Sequence, residues 1–293
     1  MTIAMCYLSP EGVVLGADST ASVTYPDGTF HYFNHAQKLF QIGDSGSLGL
    51  LTWGLGGLGE ESYRTQIAEL ADSLESDPAK DVEEVAQRWA RQFQSAYSSA
   101  LAGPIARCKE LAAKQPFQQN QASPSSRSEE EEIEFIGLRE GLVVGFCIAG
   151  AVQPNRRTTA FQVVFEPLSD SVNAVQVFGI PFWGAPNMIQ RLISGADPAL
   201  RDGILRSGKW EGTEDDLDAV MGQQQLSHAI LPVRDAIDFV HTCIYSTIKA
   251  LKFSSLKQIC GGPIEIAVIT TDRPFRWVRH KSFDAAIAEG DRL

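Results

Sequence analysis

The chain has 293 residues, of which 44% are hydrophobic and 21% charged, as is usual for a globular protein. Its formal net charge of −11 disfavours nucleic acid or an anionic membrane as a partner, because both bind clustered lysine and arginine. No apolar run reaches the roughly 20 residues of a membrane helix, and no secretory signal pattern opens the sequence, so we expect a cytoplasmic protein.

The spacing of the cysteines predicts free thiols. Cys6, Cys108, Cys147, Cys243 and Cys260 are far apart in the sequence and include no Cys-x-x-Cys pair. This usage is typical of a reducing compartment, where an isolated cysteine packs as a small hydrophobic residue. We therefore expect neither disulfides nor a metal site, and nothing in the sequence calls for a cofactor.

The first elements are strands. Two apolar runs, residues 3–8 and 13–17, flank Ser-Pro-Glu-Gly and predict a β-hairpin. Strand character returns over residues 30–42 and 48–53, and the second of these runs is apolar enough to be buried on both faces.

Two helices and a polar segment come next. Apolar residues recur at helical spacing over residues 63–74 and again from 85 to about 114. Residues 115–132, QPFQQNQASPSSRSEEEE, are polar and end in four glutamates. We predict a flexible acidic insertion over residues 115–132.

Strands and helices occur in blocks in the second half as well. The expected strands are 142–151, 158–165, 172–177, 263–270 and 275–278, and the expected helices are 185–194 and a long amphipathic one over 233–251, with a charged stretch reaching residue 225. Blocks of this kind favour antiparallel sheets covered by helix layers over a parallel βαβ fold. No linker divides the chain, so we expect a single domain over residues 1–293.

A glycine cluster raises a nucleotide-binding alternative. Residues 54–59, GLGGLG, satisfy G-x-G-x-x-G between a predicted strand and a predicted helix. A dinucleotide site also needs a second parallel strand after that helix, and the sequence continues with a loop and another helix instead. Close approach of backbone to a substrate or an oxyanion is the other use of such glycines.

The order of motifs resembles a known family. From Thr2 the chain gives a strand, a glycine-containing turn, GVVLGADS, a lysine in QKLF and then LTWGLGG, and near the C-terminus IYSTIKALKFSSLKQICGGPIEIAVIT reads as a helix leading into a strand. This order resembles the proteasome β-subunit family of N-terminal-nucleophile hydrolases, including the related bacterial ring proteases. The resemblance implies an α+β fold of four layers, α/β/β/α, with two packed antiparallel sheets flanked by helices.

The resemblance also implies a site. Thr2 would become the nucleophile once the initiator methionine is removed, because a free terminal amine can accept the hydroxyl proton. Lys38 would supply an ammonium that lowers the pKa of that amine, and Asp18 would hold Lys38 charged and oriented. Gly54 would place a backbone N–H at the oxyanion, and Ser22 would lie beside the substrate.

A surrounding set of residues is less regular. Ser19, Cys260 and Gly261 are candidates to support the site, although the family pattern Asp-x-x-Ser-Gly is replaced here by Lys-Gln-Ile-Cys-Gly at residues 257–261. The chain also offers Gly-Ile-Pro at residues 179–181 where the family places a serine. An inactive relative serving assembly or regulation is therefore an alternative.

The same resemblance indicates the function and the partners. We expect a threonine-type peptidase or amidase that acts on a polypeptide or amide substrate within a homo-oligomeric ring. A small-molecule amidase on the same fold is a further alternative, and an ATPase unfoldase partner is left unspecified. Neither nucleic acid nor a membrane is expected as a partner.

Overall fold

Strands and helices follow one another in blocks along the chain. The structure is a computed structural model that describes residues 2–24, 29–43, 46–59, 61–117, 126–185, 187–226, 229–255 and 259–281. Its strands are β1 (Ile3–Ser9), β2 (Gly12–Ala17), β3 (Ala21–Thr24), β4 (Phe30–Phe33), β5 (Leu39–Gln41), β6 (Leu48–Gly54), β7 (Val144–Gly150), β8 (Thr159–Phe165), β9 (Val175–Val177), β10 (Phe182–Gly184), β11 (Glu265–Thr270) and β12 (Arg273–Arg279). Its helices are α1 (Tyr63–Ser76), α2 (Val82–Ala100), α3 (Ala102–Ala112), α4 (Glu129–Gly141), α5 (Asn187–Ser194), α6 (Pro198–Arg206), α7 (Glu214–Gly222) and α8 (Val233–Phe253).

The predicted N-terminal hairpin is part of a five-stranded sheet with the order β10-β1-β2-β11-β12. β1 and β2 pair antiparallel from Ala4 opposite Ala17 to Ser9 opposite Gly12. β1 also pairs antiparallel with β10, so the first strand of the chain lies inside the sheet and has a neighbour on each side. The residue that follows β2 is thereby returned to the start of β1.

Helix α8 covers this sheet. Its apolar stripe includes Val240 and Ile244, which contact β2 so closely that a Cβ on Gly16 would lie 2.6 Å and 2.8 Å from their methyl carbons. The absence of a side chain at Gly16 therefore lets the helix approach the strand. Burial of the shared apolar surface stabilises this contact.

The second five-stranded sheet has the order β5-β6-β7-β8-β9. β6 pairs antiparallel with β7, and β7 with β8. Helix α2 packs on these strands with buried aromatic residues: Trp89 and Phe93 meet Phe146 edge to face, with ring centroids 4.9 Å and 4.6 Å apart. Because β6 leads into helices and then pairs antiparallel with β7, no βαβ unit forms around residues 54–59, as the sequence predicts.

The chain divides into two units, which are described separately. The first comprises the described parts of Met1–Leu39, Gly179–Thr270 and Arg276–Leu293, and the second those of Phe40–Phe178 and Thr271–Phe275. The first contains β1, β2, β10 and β11 together with a two-stranded sheet of β3 and β4, and the second contains β6, β7, β8 and β9. The mixed α+β class with antiparallel sheets is thus confirmed, whereas the single domain over residues 1–293 stays a prediction.

The helix predicted over residues 85–114 is two helices. Leu101 ends α2 with φ −111° and ψ 18° and also begins α3, and Pro104 follows in the first turn of α3. A proline at this position has no N–H for the carbonyl of Ala100, and its ring excludes a continuous helix. The predicted strand 30–42 is likewise divided, into β4 and β5, and the elements β3, α4, β10 and α6 are not among the predictions.

The predicted flexible insertion is too long at its C-terminal end. Ser128 caps α4: its Oγ accepts from the backbone N–H of Glu131 at 3.1 Å, and the Glu131 carboxylate accepts from the backbone N–H of Ser128 at 3.2 Å. The four glutamates form the first turn of α4, where negative charge interacts favourably with the helix dipole. Extending the flexible segment over residues 129–132 was therefore wrong, and residues 118–125 lie outside the described residues.

Among the helices that the structure describes, none has the length and apolar character needed to cross a membrane.

Candidate active site

Thr2 is fixed in place at the start of β1. It is only 3% exposed, and its carbonyl accepts a hydrogen bond from the backbone N–H of Ala185 at 2.8 Å. The next residue, Ile3, lies opposite Gly184 of β10. The position of Thr2 therefore depends on β10 as well as on the hairpin.

Asp18 follows β2 and is fully buried beside the start of the chain. Its Oδ1 accepts from the backbone N–H of Ile3 at 3.0 Å, and its Oδ2 accepts from the backbone N–H groups of Thr20 at 3.1 Å and Gly261 at 2.8 Å. The Lys38 ammonium donates to Oδ1 at 2.6 Å. Four donors occupy the four acceptor positions of a carboxylate, so this side chain is fully satisfied as an anion.

Lys38 lies in the segment between β4 and β5 and is also buried. Besides its bond to Asp18, its Nζ donates to the carbonyl of Thr20 at 2.6 Å. Burial lowers the pKa of Lys38, and the charge of Asp18 opposes that shift. The ammonium and the N–H of Ile3 share one acceptor oxygen, so Lys38 is separated from the peptide unit after Thr2 by two hydrogen bonds.

The three predicted supporting residues, Gly261, Cys260 and Ser19, differ in what they contribute to the site. Gly261 contacts Asp18 through its backbone N–H, and its carbonyl accepts from the N–H of Ser19 at 2.9 Å. Burial, followed by the charge of Asp18, raises the pKa of Cys260 to about 12, so its thiol is neutral. The hydroxyl of Ser19 is buried and has no hydrogen-bond partner among the described residues.

The other two predicted residues, Ser22 and Gly54, lie on strands β3 and β6. Ser22 is half-buried on β3, opposite Tyr32 of β4. Gly54 ends β6 in the second unit with φ +85°, and a Cβ there would lie 2.2 Å from the carbonyl oxygen of Val143. The backbone conformation and the close approach of Val143 thus explain a glycine at position 54 without any catalytic role. The role of Gly54 at an oxyanion stays a prediction, and so does the role of Ser22 beside the substrate.

The structure adds residues that the sequence analysis missed. Thr20 contacts both charged groups through its backbone. Gly184 has φ +88°, and a Cβ there would lie 1.8 Å from the carbonyl oxygen of Thr2. The buried Glu265 forms a second ion pair with the half-buried Lys281 in the same unit. A glutamate inside the apolar run PIEIAVIT was the one sequence signal for them, because an acid seldom occurs in a buried strand without a cation.

The site's polar contacts are made by one carboxylate, one ammonium and backbone groups. In the part of the chain that the structure describes, no group of three or more histidine, cysteine, aspartate or glutamate side chains is arranged to hold a metal ion. The arrangement can hold a buried positive charge next to the first residues of the chain.

Comparison with known proteins gives a remote likeness. No family model and no curated protein matches the chain. Among solved structures, the Anbu (Gly-1) mutant from Hyphomicrobium sp. strain MC1 is similar over 100% of this chain and 95% of its own, with 13% sequence identity and a TM-score of 0.47. A likeness at this level indicates neither shared chemistry nor a shared assembly.

Proposed function

We propose that this chain is a threonine-type N-terminal-nucleophile hydrolase in which Thr2 attacks an amide or peptide carbonyl after the initiator methionine has been removed. One observation carries the proposal. The Lys38 ammonium and the N–H that follows Thr2 both donate to Asp18 Oδ1, at 2.6 Å and 3.0 Å. This arrangement supports the proposal, because the mechanism requires a fixed ammonium close to the terminal amine.

The chemistry proceeds from the N-terminal amine. A free α-amino group has a pKa of about 7.7 to 8.0, and a nearby ammonium lowers it, which increases the fraction of the amine that is neutral and can accept a proton. The amine accepts the proton of the Thr2 hydroxyl as the oxygen attacks the carbonyl carbon, and it returns a proton to the departing amine. Water then hydrolyses the ester on Thr2 by the same proton transfers, which restores the hydroxyl and releases the acid.

Asp18 and Lys38 act through position and charge. Asp18 is held by three backbone N–H groups, so its carboxylate keeps Lys38 in place without relying on a flexible partner. An N–H at the developing oxyanion is commonly worth about 3 kcal/mol, and Gly54 is the proposed donor. The four-layer α/β/β/α arrangement and assembly into a homo-oligomeric ring belong to the same proposal.

A catalytically silent relative is the second candidate. Thr2 is 3% exposed, and the neutral thiol of Cys260 takes the place of the hydroxyl that the family pattern provides. Such a protein would serve assembly or regulation. It would keep the Asp18–Lys38 pair as a structural contact between the ends of two strands.

The test is covalent labelling. The wild-type protein is expected to react with an electrophilic acyl probe, Thr2→Ser to retain part of the reaction, and Thr2→Ala to lose it. Thr158→Ala makes the same change in the second unit and is expected to label as wild type does. Equal labelling of wild type and Thr2→Ala would place the chemistry elsewhere, and absence of labelling in wild type would favour the silent relative.

A substrate comparison separates the remaining alternatives. If the wild type is labelled, turnover of a peptide library and of small amides is measured with Thr2→Ala as the blank. Cleavage of peptides supports the peptidase, whereas turnover of small amides alone supports the amidase.

A further inference from the structure

A second buried carboxylate, that of Glu265, lies on the strand next to β2, close to Asp18. Glu265 is fully buried at the start of β11, opposite Ala17, which immediately precedes Asp18. Lys281 Nζ lies 3.1 Å from its Oε2 and His280 Nδ1 lies 2.8 Å from its Oε1. The approach directions are not those of hydrogen bonds, since neither oxygen of Glu265 accepts one among the described residues. The carboxylate is therefore stabilised by ion pairing, which a buried charge requires.

Lys281 makes two further contacts that the neutralisation of Glu265 does not require. Its Nζ donates to the carbonyl of Ala36 at 2.8 Å and to that of His35 at 3.2 Å. The backbone N–H of Ala36 in turn donates to the carbonyl of Ser19 at 2.9 Å. The backbone just before Lys38 is thus held on one side by Lys281 and on the other by Ser19.

The two ion pairs are joined through this short segment. Lys38 comes two residues after Ala36, and its Nζ must reach both Asp18 Oδ1 and the carbonyl of Thr20. With the backbone at Ala36 fixed at both its N–H and its carbonyl, the base of the Lys38 side chain has little freedom to move. Burial is the main cause that lowers the pKa of Lys38, and the charge of Lys281 lowers it further.

We propose that Lys281, held by Glu265, is a positioning residue for Lys38: it binds the carbonyls of His35 and Ala36 and thereby sets where the Lys38 ammonium lies relative to Thr2. This inference rests on the proposed function for its effect on chemistry. The positioning itself is a property of the backbone, and it is measurable whether or not Thr2 reacts.

The experiment uses a pair of variants that separates positioning from stability. Lys281→Met leaves Glu265 buried without its lysine, so a loss of stability is expected whatever the role of Lys281. The double variant Glu265→Gln/Lys281→Met also removes the carboxylate charge, so its unfolding midpoint is expected to recover most of the loss. Lys109→Met, which breaks an exposed pair with Asp170, serves as the control and is expected to behave as wild type.

Two readouts are taken on the folded double variant. The first is hydrogen exchange at the Ala36 amide, which is expected to become faster while the amides of β2 keep their protection. The second is the rate at which the acyl probe labels Thr2, which is expected to fall by at least about tenfold, because a displacement of about 1 Å can cost up to about a hundredfold.

Each outcome decides the inference. Wild-type exchange at Ala36, or wild-type labelling, in a stable double variant would overturn it, because Lys281 would then serve only to neutralise Glu265. If the wild-type protein is not labelled at all, the proposed function fails and the exchange rate at Ala36 alone decides the positioning. If Lys281→Met does not fold, the double variant supplies both readouts.

Discussion

Asp18 is the residue on which the arrangement around Thr2 depends most, since it joins the start of the chain, the segment before β5 and the segment before β11. We expect Asp18→Asn and Lys38→Met each to lower the free energy of unfolding by about 3–5 kcal/mol, because each leaves a buried charge unpaired. The double variant is expected to cost less than the sum by at least about 1 kcal/mol. Urea denaturation of the four proteins measures these terms, and strictly additive losses would mean that the two charges do not interact.

Cys260 gives a pH-dependent prediction at the same scale. Its pKa is raised to about 12 from an ordinary value of 9.0. Between these values the unfolded thiol has lost its proton while the folded thiol keeps it, so the unfolded state binds fewer protons and stability falls as pH rises. Cys260→Ala is expected to weaken this fall between about pH 9 and 10.5. Denaturation at several pH values measures the slope, and an identical slope in both proteins would contradict the assignment.

Among the elements, the short strand β10 controls Thr2 directly. Gly184→Ala would bring a Cβ within 1.8 Å of the Thr2 carbonyl oxygen, so Thr2 or β10 must move. We expect faster exchange of the Ala185 amide, which donates to that oxygen, and a loss of probe labelling by up to about a hundredfold.

Gly208→Ala is the matched control for this change. Gly208 also has a positive φ, +65°, but no atom lies within 4 Å of the position of its Cβ. The control therefore carries the backbone strain without the close approach. We expect it to lower the free energy of unfolding by about 1–2 kcal/mol and to be labelled at the wild-type rate. Equal labelling of Gly184→Ala and Gly208→Ala would show that β10 does not fix Thr2.

The elements also show what local sequence can predict. The hairpin register follows from two apolar runs and a Pro-Gly turn, and it was enough to place Asp18 beside Thr2. β10 has only three residues, too few for an apolar pattern to be recognised, so the partner of β1 was missed. The division of the helix at Leu101 could have been read from Pro104, whose missing N–H acts regardless of the apolar spacing around it.

At the scale of the whole molecule, contacts between distant parts of the chain explain what the sequence could not predict. Lys281 and Ala36 are 245 positions apart, and Gly261 and Asp18 are 243 apart. No periodic pattern encodes such contacts, since they depend on how the strands are ordered in the sheet. The sequence could predict Gly261 as a candidate but not that it would act through its backbone N–H.

Catalysis by Thr2 depends on the state of the N-terminus. Asp18 and Lys38 become parts of a catalytic site only if Thr2 carries a free amine; with the initiator methionine attached, that nitrogen is an amide and has no basic lone pair. Every other prediction about labelling assumes this processing.

The most direct measurement is tandem mass spectrometry of the N-terminal peptide from cell-expressed protein after reaction with the acyl probe. The proposed function predicts a peptide that begins at Thr2 and carries the acyl group on that residue. A peptide that retains Met1, or an adduct on any other residue, would contradict it.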